Sequence, residues 1–400
     1  MASFPLSGVK VIEFGSAVAA PLCGMLLAEM GAEVVKVENT REGDDARKMG
    51  KMVNGESLYF AHYNKNKQSI AVDLKTPEGR QIVRKLVKSV DILVENYRPG
   101  VLRKHGLGFE DVRRINRKII YCSISGFGSR GRYKNYRGYD VITQAMSGLM
   151  WMNRRPGDEP LRIPVPVTDI LAGLSAAAAV CAALHQRQKN GKAVKIDLSL
   201  LQSGIAAMGQ WITTVSKTGE QIQPFGNRYP ALAPYEPVKA ADGWLVVAVG
   251  NEEHWERLCS VIGRDDMKNN PRFKDMQSRI DPFNREIIHN ELEKTVSTKT
   301  VKEWVELLQR AGVPAGPVYS VEDVLRDKNL AATKIFTRVN HPILGWTLAI
   351  RTSPLFDGRP SLVKPAPIHG QDTRRILRKL GYSPEAIKDF ERRQIVKSGR

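Results

Sequence analysis

Apolar positions in the first 130 residues follow two alternating periods. Val9-Lys10-Val11-Ile12-Glu13-Phe14 and Glu33-Val34-Val35-Lys36-Val37 read as short buried strands, and Pro21 to Met30 between them repeats at helical spacing until Gly31 stops it. Ser69 to Leu74 reads as a third strand. Thr76-Pro77-Glu78 then opens a helix, because a threonine cap accepts an orphan amide and proline fills the first turn without losing a bond. Ile82, Val83, Leu86 and Val87 give that helix one apolar face. Asp91 to Glu95 and Lys118 to Ser125 supply two more strands. Such alternation implies parallel pairing through right-handed crossovers, hence an α/β fold with a doubly wound sheet.

The middle of the chain reads differently. Asp169 to Gln188 is an alanine-rich helix suited to close packing, and Lys195-Ile196-Asp197-Leu198 follows it. The segment to about Pro237 mixes helix with Gly, Pro and Asn, as in Gly226-Asn227-Arg228-Tyr229-Pro230, and its later part reads as a linker, so 201–237 is set apart as the linker. A strand at Trp244–Val249, helices at His254–Ile262, Phe283–Val296 and Thr300–Ala311, and a strand at Gly316–Tyr319 predict a small α+β domain over 238–325. Residues 1–200 form the large domain and 326–400 return to complete it. From Gln371 the chain is a basic amphipathic helix pair that needs an apolar surface to lie on.

Composition narrows the class. Hydrophobic residues are 42% and charged residues 26% of 400, close to globular averages, so neither disorder nor a fibrous repeat is expected. The formal net charge is +19, which favours an anionic partner: nucleic acid, an anionic membrane or a phosphate-rich small molecule. Between Arg98 and Arg137 stand eleven basic and two acidic residues, directly after predicted strand ends, where ligands of open α/β sheets bind. Cys23, Cys122, Cys181 and Cys259 lie far apart, and the seven histidines show no paired spacing, so neither a metal site nor a disulfide framework is expected. The N-terminus lacks a secretion signal, and the longest apolar stretch, Ile170 to Leu184, falls short of a membrane span. A soluble, cytoplasmic protein with no membrane partner is the expectation.

Cofactor motifs are missing. Phe14-Gly15-Ser16-Ala17-Val18-Ala19-Ala20-Pro21 is not GxGxxG, and no GxxxxGK[ST] occurs, which disfavours NAD and ATP. No GxSxG serine supports a hydrolase triad. Asp169 stands between apolar flanks in Val165-Pro166-Val167-Thr168-Asp169-Ile170, at a helix start whose dipole and free amides favour a carboxylate. It reads as a helix cap or as a reactive acid. Tyr139, in Gly138-Tyr139-Asp140, reads equally as a core aromatic or a site residue.

Several segments together resemble the family III CoA-transferases, which include the formyl-CoA and carnitine CoA-transferases. The matches begin at Leu6-Ser7-Gly8-Val9-Lys10-Val11, Met30-Gly31-Ala32-Glu33 through Glu38, Gly43-Asp44-Asp45-Ala46-Arg47 and Asn64-Lys65-Asn66-Lys67. They continue through Val94-Glu95-Asn96-Tyr97-Arg98-Pro99-Gly100, Ser125-Gly126-Phe127-Gly128, Tyr139-Asp140, Gln144-Ala145-Met146-Ser147-Gly148 and Thr168-Asp169 to His369-Gly370-Gln371-Asp372-Thr373. The resemblance implies a Rossmann-like large domain, a small second domain and two ring-shaped chains interlocked as a homodimer. It makes Asp169 the nucleophile that carries acyl and thiol in turn, with coenzyme A as substrate and no tightly bound cofactor. It places Asn96, Tyr97 and Arg98 at the nucleotide, Lys104 and Arg137 at the phosphates, Tyr139 in the binding site, and Val18 and Ala19 near the thioester. Gly250 and Asn251 match a glycine-bearing active-site loop.

Departures from the family pattern bear on substrate and rivals. Formyl-CoA transferases carry glutamine where Val18 stands, so an acyl group bulkier or less polar than formate or oxalate is expected, with Arg47 or Arg228 as partners if it is a dicarboxylate. The α-methylacyl-CoA racemases of the same fold carry Gly-His-Asp where this chain has Gly138-Tyr139-Asp140, and tyrosine, with a pKa near 10, is a poor base at neutral pH. A basic nucleic-acid-binding protein would explain the charge but not the ordered motifs, and no zinc-finger, RNA-recognition or helix-turn-helix signature accompanies it. The partners expected are therefore an acyl-CoA and a small carboxylic acid.

Overall fold

In the computed structural model, which describes residues 4–361 and 363–399, β1 (Lys10–Phe14) runs into α1 (Ala19–Glu29), and β2 (Glu33–Glu38) pairs parallel to β1. β3 (Lys67–Val72), β4 (Ile92–Glu95) and β5 (Ile120–Ser125) follow; then come α2 (Val167–Asn190), β6 (Val194–Ser199) and, near the C-terminus, β7 (Val396–Lys397). The sheet order is β7-β3-β2-β1-β4-β5-β6, parallel throughout except that β7 lies antiparallel on β3. Thr76 caps the helix Pro77–Lys88 by accepting from the Gly79 N–H, as its sequence predicts.

The chain winds outward from β1 to β3, crosses back, and winds outward again from β4 to β6. Its strand order therefore reverses between β1 and β4, and the loops after Phe14 and Glu95 meet there. Open α/β sheets bind their ligands at such a reversal, beyond the carboxyl ends of the strands. Two cores sandwich the sheet. α1 and α2 cover one face with Cys23, Met25, Ala176 and Val180, while Ile82, Val83, Leu102 and Val112 cover the other. The C-terminal helices Thr373–Lys379 and Pro384–Arg392 lay Ile376, Leu377 and Ile387 on that second core, which is the apolar surface their pattern requires.

α2 has 24 residues and is, among the described residues, the one helix long and apolar enough to cross a bilayer. Its apolar length is taken up by packing, with Ala172, Ala176 and Val180 fully buried. Gly173 lets it approach α1 closely: a Cβ there would sit 2.8 Å from the Ala19 carbonyl and 3.0 Å from Leu22 Cβ. That contact brings the N-termini of both helices together.

Two compact units divide the chain, and their bounds correct the expected linker. The first takes residues up to 150, 162–220 and from 329; the second takes Trp151–Leu161 and Gln221–Lys328. Leu200–Ala207 and Gly209–Thr218 are helices of the first unit, not linker. Ser199 caps the former by accepting from the Gln202 N–H, and left-handed Gly219 ends the latter. Glycines at 204 and 209 obscured this helical signal. Within the second unit, Tyr235–Lys239, Trp244–Ala248 and Ala315–Pro317 form an antiparallel sheet under the helices Glu252–Val261, Pro282–Val296 and Val301–Arg310. Its core centres on Leu245, Trp255, Leu258, Leu292 and Trp304.

Candidate active site

Asp169 is the third residue of α2, behind Pro166, which has no side-chain group to cap the helix. Asp140 supplies that function from another helix, Asp140–Met146: its Oδ1 accepts from the Thr168 N–H at 2.9 Å and the Thr168 hydroxyl at 2.8 Å. Gln144 Nε2 donates to the other oxygen at 2.7 Å. With the capping done by Asp140, the Asp169 carboxylate is left for other work. It is half-buried against the start of α1, whose Ala19 N–H is directed to it. Burial lifts its pKa to about 7, the negative charge of Asp140 adds to the rise, and the Ala19 amide opposes it. Tyr59 and Tyr63, with ring centroids 5.2 Å apart, stand within reach of the Asp169 charge. Burial first, and neighbouring charges including Asp169 second, push both phenols above their ordinary value.

The residues expected at coenzyme A stand in different surroundings. The Val18 side chain is 1% exposed and belongs to the hydrophobic core, so it does not line open space for an acyl group. Asn96 accepts from the Ser16 N–H and donates to the Ser16 carbonyl, both at 2.8 Å, so its amide is spent on the turn after β1. Tyr97 packs on the second core, and burial pushes its hydroxyl up to about 12. Arg98 lines a cavity of about 670 Å³ together with Glu95, Arg103, Arg114, Lys195 and Asp197. Glu95 is lifted to about 7 there by burial, against the hydrogen bonds from Ser123 and the Tyr97 amide. Lys104 and Arg137 are exposed and outside that wall, and Tyr139 is 71% exposed, which rules out the core-aromatic alternative. The structure thus brings Asp169 and Ala19 together and sets Arg98 on a separate cavity.

Both arginines considered for a second carboxylate are already paired. Arg47 is buried and bidentate on Glu38, at 2.7 and 2.8 Å, with a further bond to the Pro367 carbonyl. Arg228, in the second unit, holds Glu236 at 2.7 Å and Glu286 at 2.6 Å. Asn251 caps the helix Glu252–Val261 by accepting from the His254 N–H at 2.8 Å, and Gly250 precedes it in the same turn. No cluster of three or more His, Cys, Asp or Glu side chains is placed to hold a metal among the described residues.

Sequence reasoning missed a buried ionic network beneath the turn. Lys36 donates to Glu13 Oε1 at 2.8 Å and to the Gly15 carbonyl at 2.7 Å, and pairs with Asp44 Oδ2 at 2.8 Å. Lys67 pairs with Glu13 Oε2 at 2.8 Å and donates to Pro21 O and Asn64 Oδ1. Gly24 leaves room for Glu13, since a Cβ there would lie 2.0 Å from Glu13 Oε2. Charged residues inside otherwise apolar strands were the available signal.

A half-buried acid at the meeting of two helix starts, beside the reversal of a parallel sheet, defines an α/β enzyme built round a shielded carboxylate. A Brucella suis structure described as a CAIB/BAIF family protein shares this fold, with a TM-score of 0.84 and 32% identity over 95% of this chain and all of that one. The chain belongs to CoA-transferase family III, whose model matches residues 6–373. It is 36% identical over 389 residues to mouse succinyl-CoA:glutarate CoA-transferase, covering 96% of this chain and 88% of that protein. It is also 36% identical to the succinate–glutarate CoA-transferase of Agrobacterium fabrum, covering 94% of this chain and 96% of the relative.

Proposed function

We propose that the protein transfers coenzyme A from an acyl-CoA donor to a free carboxylic acid, with Asp169 as the covalent carrier. The observation that carries this reading is the Asp169 carboxylate, half-buried, facing the Ala19 N–H, and relieved of helix capping by Asp140. Its oxygen attacks the thioester carbonyl, giving a mixed anhydride and CoA thiolate. The thiolate attacks the aspartyl carbonyl, the anhydride C–O bond breaks, and the donor acid leaves as its carboxylate. The acceptor carboxylate then attacks the aspartyl thioester and re-expels thiolate, which takes the acyl group from the second anhydride and frees Asp169. No proton is gained or lost over the cycle. Tetrahedral oxyanions form at each attack, and the Ala19 N–H is a donor suited to them.

Succinyl-CoA as donor and a short dicarboxylic acid as acceptor are the substrates the relatives' names suggest. The nucleotide end is assigned to the cavity that Arg98 lines, in a Rossmann-like large unit, with Lys104 and Arg137 exposed for the phosphates. Incubation with succinyl-CoA and glutarate should yield glutaryl-CoA, read by liquid chromatography. A hydroxylamine- or borohydride-trapped adduct should map to Asp169; product without any such adduct would refute the carrier role.

Because attack requires the carboxylate, kcat/KM for the donor should fall as pH drops below about 7. Asp140→Asn keeps an oxygen for the Thr168 N–H while removing the charge that helps to lift Asp169. Its acid limb should therefore move to lower pH; an unmoved limb would assign the titration to another group.

A second copy of the chain is proposed to cover the helix Gly209–Thr218. That helix buries no residue yet carries Ile212 and Val215, 44% and 41% exposed. Light scattering after size exclusion should give twice 44.6 kDa. A monomer mass would end this part of the reading.

A further inference from the structure

The turn between β1 and α1 is held by side chains at four successive backbone polar groups, from the Gly15 carbonyl to the Ala17 N–H. Lys36 takes the Gly15 carbonyl at 2.7 Å. Asn96 takes both the N–H and the carbonyl of Ser16. Asp44 Oδ1 accepts from the Ala17 N–H at 3.0 Å, the Ser16 hydroxyl at 3.0 Å and the Ala46 N–H at 2.9 Å. Ala17 has φ 61°, a left-handed conformation that a residue bearing a Cβ adopts at a cost of roughly 1–3 kcal/mol and keeps when its surroundings over-determine it. Two residues later the chain presents the Ala19 N–H to Asp169.

We infer that Asp44, anchored by Lys36 and assisted by Asn96, is a positioning residue that locks this strained turn so that the Ala19 amide is aimed before substrate arrives. The inference rests on the carrier reading of Asp169 and adds to it the device that fixes its amide donor. Lys36 and Asp44 are both fully buried in their side chains, so neither meets substrate, and their effect passes through the backbone of Gly15 and Ala17. A preorganised donor is worth most in the transition state, where charge develops on the oxyanion, so misplacing it lowers kcat and spares ground-state binding.

Two substitutions at Asp44 separate positioning from stability. Asp44→Ala and Asp44→Asn both remove the charge facing Lys36, so both should lose stability. Asp44→Asn alone keeps an oxygen for the Ala17 N–H. With succinyl-CoA and glutarate, Asp44→Ala should lower kcat about 10- to 100-fold at a KM for succinyl-CoA within about threefold of the original, while Asp44→Asn recovers most of the rate. Equal kcat losses in the two variants, or an unchanged kcat in Asp44→Ala, would overturn the inference. Should the alanine variant not fold, Asn96→Ala decides. A kcat loss at constant KM supports the positioning role, and a raised KM at full kcat returns Asn96 to the nucleotide and overturns it. Hydrogen exchange over residues 14–20 reads the turn without reference to activity. It should quicken in Asp44→Ala and Asn96→Ala and less so in Asp44→Asn, and protection in Asp44→Ala as slow as in the unaltered protein would also overturn the inference. A missing Asp169 adduct in the unaltered enzyme would instead sink the carrier reading, whatever the exchange shows.

Discussion

Asp169→Ala should abolish CoA transfer, lowering kcat by at least about 10³-fold, and remove the trapped adduct, because the carboxylate proposed to hold acyl and thiol in turn is gone. The fold should survive. Asp169 makes none of the bonds that begin α2, which Asp140 supplies through Thr168. Removing a half-buried acid whose pKa is lifted to about 7 also removes a group that folding makes harder to ionise. A native carboxyl held above its unfolded value contributes stability that is present below that unfolded value and lost as pH rises through about 7. The alanine variant should therefore be as stable as the parent or more so at pH 8. Far-ultraviolet circular dichroism with thermal melting checks the fold, and single-turnover assays with succinyl-CoA check the chemistry. Activity within about tenfold of the parent would end the carrier role.

The sheet was legible because its strands are runs of branched apolar residues separated by strong stops, such as Gly31 and Thr76-Pro77. Asp169 was legible because a carboxylate amid apolar flanks at a helix start has two readings, and the structure hands the capping one to Asp140. What escaped was whatever depends on non-local geometry. Asn96 is 80 residues from Ser16 yet holds both of its backbone groups. Val18 stands beside Ala19, yet its side chain turns into the core while the neighbouring amide faces Asp169. Arg47 looked available because Glu38, nine residues earlier, lies in a strand whose pattern says nothing of a partner. The extent of the helices from Leu200 to Thr218 was obscured because glycines at 204 and 209 and the Gly226–Pro230 run interrupt the apolar period.

Lys36→Met should cost about 3–5 kcal/mol, because it breaks a buried pair from one side. The ammonium serves three acceptors at once: Glu13 Oε1, the Gly15 carbonyl and Asp44 Oδ2. Lys67 remains for Glu13, but Asp44 loses its cation in a site closed to solvent. In the native protein burial pushes the Asp44 carboxyl up, and the charge of Lys36 with the Ala46 and Ala17 amides more than offsets it, so the group sits below its ordinary value. A depressed carboxyl contributes stability that is present above its unfolded pKa and lost as pH falls through its native one. The Lys36→Met deficit should accordingly be full at neutral pH and shrink in acid, as protonated Asp44 no longer needs a counter-charge. Urea denaturation at pH 7 and at pH 4 measures both terms. Lys36→Met combined with Asp44→Asn should recover part of the loss, because removing both charges of a buried pair costs less than stranding one. A double variant as unstable as the sum of the singles, or a Lys36→Met protein as stable as the parent, would show that these charges do not act as one unit.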